Sequence, residues 1–454
     1  MVKGTVGSVG VSGNRFMATP AVSMLKAFAP GGDMGAPELT YPNLEAVAAT
    51  ARQKENTLLR EVWEAPEGSL DEEKAVRSAS IGYFVLTGNQ LQQTAPDNRH
   101  LVSSRFTQSS IELYGAPQPA EVSKLLIGQY TDFSRYKDHS NVDQGRLDAV
   151  TNVLEGAFGA SIEGVQAPED KHLQIACAEI NRVLRSRYEA SFQLFDAIEE
   201  RGLKPSISEV QAIFEKSTEL LVPIDNSWSA WQVKVTDGIG MSVSADAKTI
   251  NIGRHGDYQH DRLRPLFAHE VLTHALRAIN GLRTGDKLLY KGLPGNLDAE
   301  EGLSILKEYA VSGVLPDKVT DRYIDVSLAL GQMHLPAMTR AQLHAFHTNR
   351  KIVRAQAAHK PADAQEQAKA ARNHVNRIYR GSLGNEVIGV NTKDISYYQG
   401  FVEVAPYMVK EIVHNRRPAE QVIDYVMSCC INPTDARHRG YAEDRAGIVL
   451  PPLT

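Results

Sequence analysis

Two histidines five residues apart, with a glutamate beside the first, set the strictest local condition in this chain. They lie in Leu266-Phe-Ala-His269-Glu270-Val-Leu-Thr-His274-Ala-Leu-Arg277, a helix-compatible segment. On a regular α-helix residues four apart lie roughly 40° apart around the axis, and residues five apart roughly 140°. For both imidazoles to face one point the helix must contain a π-type turn, which makes i and i+5 the facing pair and which concentrates at functional sites. With that turn, His269 and His274 can bind a metal ion through neutral ring nitrogens, and Glu270 can take a proton from a water held there. Without it, the same residues are a surface or capping arrangement.

A second acidic group follows in Leu297-Asp-Ala-Glu300-Glu301-Gly302-Leu-Ser, which opens another helix. Carboxylates in a first helical turn are favourable through the helix dipole alone. They are equally suited to supply a third metal ligand, and composition leaves both readings open.

The rest of the chain supplies a mainly helical setting. Residues 1–42 are rich in Gly, Ser, Ala and Pro and read as a flexible leader. Residues 43–222 carry helical patterning at 45–63, 70–92, 119–132, 142–157, 171–200 and 207–220. After Pro223 the pattern alternates in Trp228-Ser-Ala-Trp231-Gln-Val-Lys-Val, breaks at Asp237-Gly238, and resumes in Met241-Ser-Val-Ser and Thr249-Ile-Asn-Ile252. These strands predict a short antiparallel sheet beside the histidine helix, in a catalytic part spanning residues 223–454. The fold class expected is α+β, mainly helical, with the first helices wrapped around that part.

Composition narrows the function classes. The 454 residues hold 49 Lys plus Arg against 54 Asp plus Glu, a formal charge of -5 with no basic cluster, so no nucleic-acid partner is expected. No run of about eighteen apolar residues occurs, so no membrane partner is expected. Of the three cysteines, Cys429 and Cys430 are neighbours, which fits a reducing, cytoplasmic location without disulfides. Polar residues and glycines interrupt the first fifteen positions, and no export signal is expected there. Cys177 reads as buried packing, and His172, His255, His260, His334, His344, His347, His359, His374 and His414 as surface or core histidines.

Taken together, His269-Glu-Val-Leu-Thr-His274, Arg277, Asn280-Gly281, Gly292-Leu-Pro-Gly295 and Glu300-Glu-Gly-Leu303 resemble the microtubule-associated tyrosine carboxypeptidase family. Its bacterial relatives are known by a Gln-Glu-Gly-Leu-Ala motif and belong with the minimal gluzincin metallopeptidases. Ile111-Glu-Leu-Tyr-Gly115-Ala-Pro, Tyr379-Arg380-Gly381 and Thr392-Lys393-Asp394-Ile-Ser-Tyr397-Tyr-Gln-Gly400 extend the likeness over roughly residues 70 to 415. The chain departs from the motif with Glu300 where the family has Gln and Ser304 where it has Ala.

The resemblance implies a gluzincin-like core and a carboxypeptidase that removes a C-terminal residue, tyrosine in the eukaryotic relatives, from a peptide or protein. It implies one zinc ion per chain on His269, His274 and Glu301, with Glu300 able to take the third place, and Glu270 as general base. Tyr397 or Tyr398 is the expected donor to the developing oxyanion. Arg380 and Lys393, with Arg277 behind them, are the expected readers of the substrate's carboxylate. Gly240 to Val243, with Met241, is the expected sheet edge for an extended peptide. The alternatives are an interaction protein that keeps the metal without hydrolysis, and a zinc amidohydrolase acting on a non-peptide amide. Oligomeric state is not legible.

Overall fold

Side-chain caps start three of the five described helices between Pro119 and Leu221. In the computed structural model, which describes residues 107–450 apart from 109, 112–113, 166–169, 239, 294 and 380–388, helix α1 (Pro119–Ser134) opens on its own proline. Asp143 accepts from the Arg146 amide to cap α2 (Gln144–Phe158), and Asp170 from the Leu173 amide to cap α3 (Lys171–Arg187). Ser206 and Glu209 form a reciprocal capping box at α5 (Ile207–Leu221). Each such cap is worth about 1 kcal/mol. The single helix expected over 171–200 is two, because the chain leaves helical geometry at Tyr188 (φ -121°, ψ 34°) before α4 (Glu189–Arg201). The proposed leader and the helices expected at 45–63 and 70–92 lie outside the described residues.

Three strands follow: β1 (Gln232–Thr236), β2 (Met241–Ser244) and β3 (Thr249–Gly253). The sheet is mixed rather than antiparallel, with order β1-β3-β2; β3 pairs antiparallel with β2 and parallel with β1, Val233 opposite Ile250. The expectation of a purely antiparallel sheet fails because the link from β1 to β2 crosses the end of β3 instead of folding back as a hairpin. Gly253 permits the crossing: a Cβ there would lie 2.5–2.7 Å from the backbone of Gly238 and Gly240.

The remainder is helical: α6 (His260–Leu266), a π-helical stretch Phe267–Ala275, α7 (Leu276–Arg283), α8 (Lys287–Lys291), α9 (Leu297–Ser312), α10 (Asp317–Leu330), α11 (Arg340–Ala357), α12 (Ala364–Ile378), α13 (Ser396–Val409), α14 (Ala419–Val426) and α15 (Ala436–Ala446). The described fold is therefore α+β and mainly helical. One apolar core joins Leu126, Leu147, Phe192 and Phe214 of the first half to Ile250, Phe267, Leu272, Leu303 and Val404. Burial of such side chains at about 25 cal/mol per Å² is the main force holding these layers together. No described helix is long and apolar enough to cross a membrane.

Among the described helices, α9 and α13 pack backbone against backbone. A Cβ on Gly302 would land on the Gly400 carbonyl group, and one on Gly400 would land on the Asp298 carbonyl. The two helices therefore meet backbone to backbone, which brings Glu301 and Tyr397 to the same region.

Candidate metal centre

Phe267–Ala275 is a π-helix, the distortion that the spacing of the two histidines requires. Two side chains bond the backbone carbonyls of this stretch. Thr273 Oγ1 donates to the Ala268 carbonyl, five residues back, at 2.8 Å, and the buried Lys307 Nζ on α9 donates to the Leu272 carbonyl at 2.6 Å. The wide turn sets the His269 and His274 rings 5.0 Å apart between centroids. Ligand atoms of His269, Glu270 and His274 all lie within 4.8 Å of one another.

Glu301, from α9, reaches the same point. Its Oε2 stands 3.7 Å from Nε2 of His269 and 3.7 Å from Nε2 of His274. The other ring nitrogens face different carboxylates: His274 Nδ1 is 2.9 Å from Glu300 Oε1, and His269 Nδ1 is 2.7 Å from Glu308 Oε1, out of line for a hydrogen bond. Glu300 is gripped in turn by Arg277, a fully buried guanidinium that also donates to the Val426 and Ile431 carbonyls.

Charge in this cluster is unevenly compensated. Burial raises the Glu300 carboxyl, but Arg277 and His274 outweigh it and hold it at about 2. Burial likewise raises Glu308, and Lys318, His269 and Arg262 bring it well below the carboxylate range. Burial lowers the His274 imidazolium, yet Glu300 and Glu301 carry it well above an ordinary histidine. Among the described residues no lysine or arginine forms an ion pair with Glu270 or Glu301, and Glu301 Oε2 is buried without a hydrogen-bond partner. Two imidazole nitrogens and one carboxylate oxygen are a donor set that divalent ions such as zinc accept, with ligands at about 2.0–2.2 Å from the ion and so roughly 3.4 Å apart. The residues present therefore fit a divalent ion.

A cavity of about 310 Å³ opens beside this point and is lined by Met241, Ser242, Val243, Glu270 and Tyr397 among others. The Tyr397 ring lies 6.5 Å from that of His269. The Glu301 carboxylate, then burial, raises its phenol far above an ordinary tyrosine, so it remains a donor. Tyr398 turns away instead, donating to Glu121 Oε2 at 3.3 Å and packing on Tyr323. β2 is an edge strand of the sheet, and the cavity runs along it. Gly240 is just outside the lining, and its carbonyl accepts from the Gly253 amide.

Two of the cations expected to read a carboxylate, Arg277 and Lys393, do not line the cavity. Arg277 is fully buried and paired with Glu300. Lys393 sits in the short turn before α13 and does not line the cavity; Arg380 lies outside the described residues. Among the described residues, Lys291, at the end of α8, is the lysine or arginine in the cavity wall, and sequence reasoning overlooked it although it adjoins the Gly292-Leu-Pro-Gly295 loop. Glu308 was also missed; it follows Glu301 by seven residues, two helical turns, and so shares its face.

A second cluster joins Asp325, His347 and His374, all buried, with the two rings stacked at 3.8 Å. Arg350 stands in its midst, 2.6 Å from both Asp325 Oδ2 and His347 Nδ1. That cation already answers the carboxylate, so the group ties α10, α11 and α12 together as a buried polar network.

Residues 175–329 match the profile of the microtubule-associated tyrosine carboxypeptidase family. The match holds His269, Glu270, His274, Glu300, Glu301 and Glu308, and ends before the Tyr397 block. No curated protein and no solved structure matches the chain.

Proposed function

We propose that this protein is a zinc-dependent carboxypeptidase that removes a residue from the C-terminus of a peptide or protein. The observation that carries the reading is the convergence of His269 Nε2, His274 Nε2 and Glu301 Oε2, 3.7 Å apart across each histidine–glutamate pair, in the wall of a cavity that also holds Glu270. The matched family bears a carboxypeptidase's name, which supports the peptidase class.

His269, His274 and Glu301 hold the ion in this reading, and Glu300 orients His274 from behind. When bound, zinc supplies a Lewis acid and lowers the pKa of a water toward about 7. The Glu270 carboxylate takes the proton of the attacking water and returns it to the departing amine. The Tyr397 hydroxyl donates to the carbonyl oxygen as negative charge grows there. The outer edge of β2 offers main-chain groups to an extended substrate, with Met241 to Val243 alongside it.

Zinc content separates the two adjacent glutamates. Purified wild type is expected to carry one zinc per chain, Glu301→Ala and His269→Ala almost none, and Glu300→Ala a reduced but measurable amount by elemental analysis. Loss in Glu300→Ala with retention in Glu301→Ala would reverse their roles. Release of a C-terminal residue from a mixed peptide pool by wild type, followed by mass spectrometry, tests the activity; a zinc-loaded protein that releases nothing would sink it.

A third expectation concerns Glu308. Replacing carboxylates that back metal-bound histidines typically costs 10- to 100-fold in metal affinity. Glu308→Gln is therefore expected to weaken zinc binding by about that factor in a chelator competition, while a Glu308 that acts only in packing would leave the competition unchanged.

A further inference from the structure

Sequence and packing place one cation in the cavity. Gly281 on α7 lies so close to α8 that a Cβ there would fall 2.5 Å from Tyr290 Cα. This close approach seats Tyr290 and Lys291 in the cavity wall, near the far end of β2. Among the described residues Lys291 is the only lysine or arginine that lines the cavity.

Both side chains already hold a carboxylate. Lys291 Nζ lies 3.1 Å from Asp246 Oδ2, and the Tyr290 hydroxyl donates to Asp246 Oδ1 at 3.1 Å. The two oxygens of one carboxylate are thus met by an ammonium and a phenol, the pairing expected of a carboxylate receptor. Asp246 comes from the turn between β2 and β3, and its side chain is 66% exposed, whereas Lys291 is 24% exposed. The acid is the loose partner and the base the anchored one.

We propose that Tyr290 and Lys291 form a carboxylate-binding subsite of this cavity, and that Asp246 is a tethered competitor which a substrate carboxylate displaces. The incoming group is either the substrate's terminal carboxylate or an acidic side chain close to the scissile bond; both present the same two oxygens. The subsite deepens the peptidase reading and rests on it for the identity of the ligand. No covalent step is involved. Displacement exchanges one ion pair for another, so affinity depends on how strongly Asp246 holds its place. An exposed aspartate in an ion pair with a partly exposed lysine contributes little, which leaves the exchange open to a well-aligned peptide.

The test uses the full chain bearing Glu270→Gln to block turnover, loaded with zinc, and N-terminally labelled octapeptide pools read by fluorescence anisotropy. One pool has neutral side chains and a free C-terminus, a second the same side chains and an amidated C-terminus, a third an amidated C-terminus and a single glutamate. Lys291→Gln is expected to weaken binding of the first or the third pool about tenfold, in line with a hydrogen bond to a charged group, and to leave the second unchanged. Asp246→Asn is expected to strengthen the same pool, a gain that misfolding cannot produce. Loss confined to the first pool assigns the subsite to the terminal carboxylate, and loss confined to the third assigns it to an acidic side chain. Equal effects on all three pools, no effect of either variant, or no binding of any pool overturns the subsite. Wild-type turnover of the first pool is measured alongside: turnover with no Lys291 dependence of binding in any pool sinks the subsite alone, and Lys291-dependent binding without turnover sinks the peptidase reading alone.

Discussion

Glu270→Gln is expected to keep its zinc and lose peptide cleavage, with kcat reduced about a hundred- to ten-thousandfold, the usual contribution of a positioned general base. Glu270 is 7% exposed, lies within 4.8 Å of ligand atoms on both histidines, and lines the cavity. Among the described residues no lysine or arginine pairs with it, so its carboxylate is not already neutralised by an ion pair. Glutamine preserves its shape and its hydrogen-bonding reach and removes only the ability to accept a proton. Elemental analysis and single-turnover cleavage, run on the same preparation, separate the outcomes. Zinc and cleavage lost together would make Glu270 a ligand, and cleavage retained would exclude it as the base.

The largest structural effect is expected at Gly400. Alanine there places a methyl group against the Asp298 carbonyl, and the obstacle is backbone, which cannot rotate away as a side chain can. Overpacking of this kind costs about 1–3 kcal/mol and occasionally more; a backbone clash belongs at the upper end, about 3 kcal/mol. Denaturant unfolding of Gly400→Ala should show that loss. Cleavage should fall further than stability explains, because α13 must move and carries Tyr397 with it. Gly128→Ala serves as the counter-case: Gly128 lies inside α1 with nothing within 4 Å of a new Cβ, so the helix gains roughly 0.5–1 kcal/mol. If both variants shifted stability the same way, the close approach of α9 and α13 would not be what makes Gly400 necessary.

Local signals in the sequence were read more fully than distant ones. The π-turn followed from His269 and His274 alone, since five-residue spacing has no other helical solution that faces both rings the same way. The helical character of residues 119–221 was visible in its periodicity, and the break at Tyr188 was not, because no glycine or proline marks it. The strands were found but not their order: the crossing from β1 to β2 depends on Gly253 meeting Gly238 and Gly240, a contact between segments that no periodicity encodes. The same limit governs the site. Whether an arginine reads a substrate or grips a neighbour depends on burial, and Arg277 turned out to be wholly enclosed against Glu300. Tyr397 and Tyr398 are adjacent and chemically alike, and only the direction in which α13 presents them separates the cavity from Glu121.

The π-stretch also sets the phase of everything that follows it. Each residue added to a helical turn rotates the downstream chain by about 100°, so this distortion re-indexes α7 as well as bringing two imidazoles together. Arg277 comes three residues after His274 and lands on nearly the same side of the axis, where it meets Glu300, the carboxylate already bonded to His274. Gly281, one turn further on, falls where α8 passes closest. A single widened turn therefore acts as an angular offset for three successive contacts: the donors that face the cavity, the guanidinium that steadies one of them from behind, and the notch against which the wall bearing Lys291 is laid.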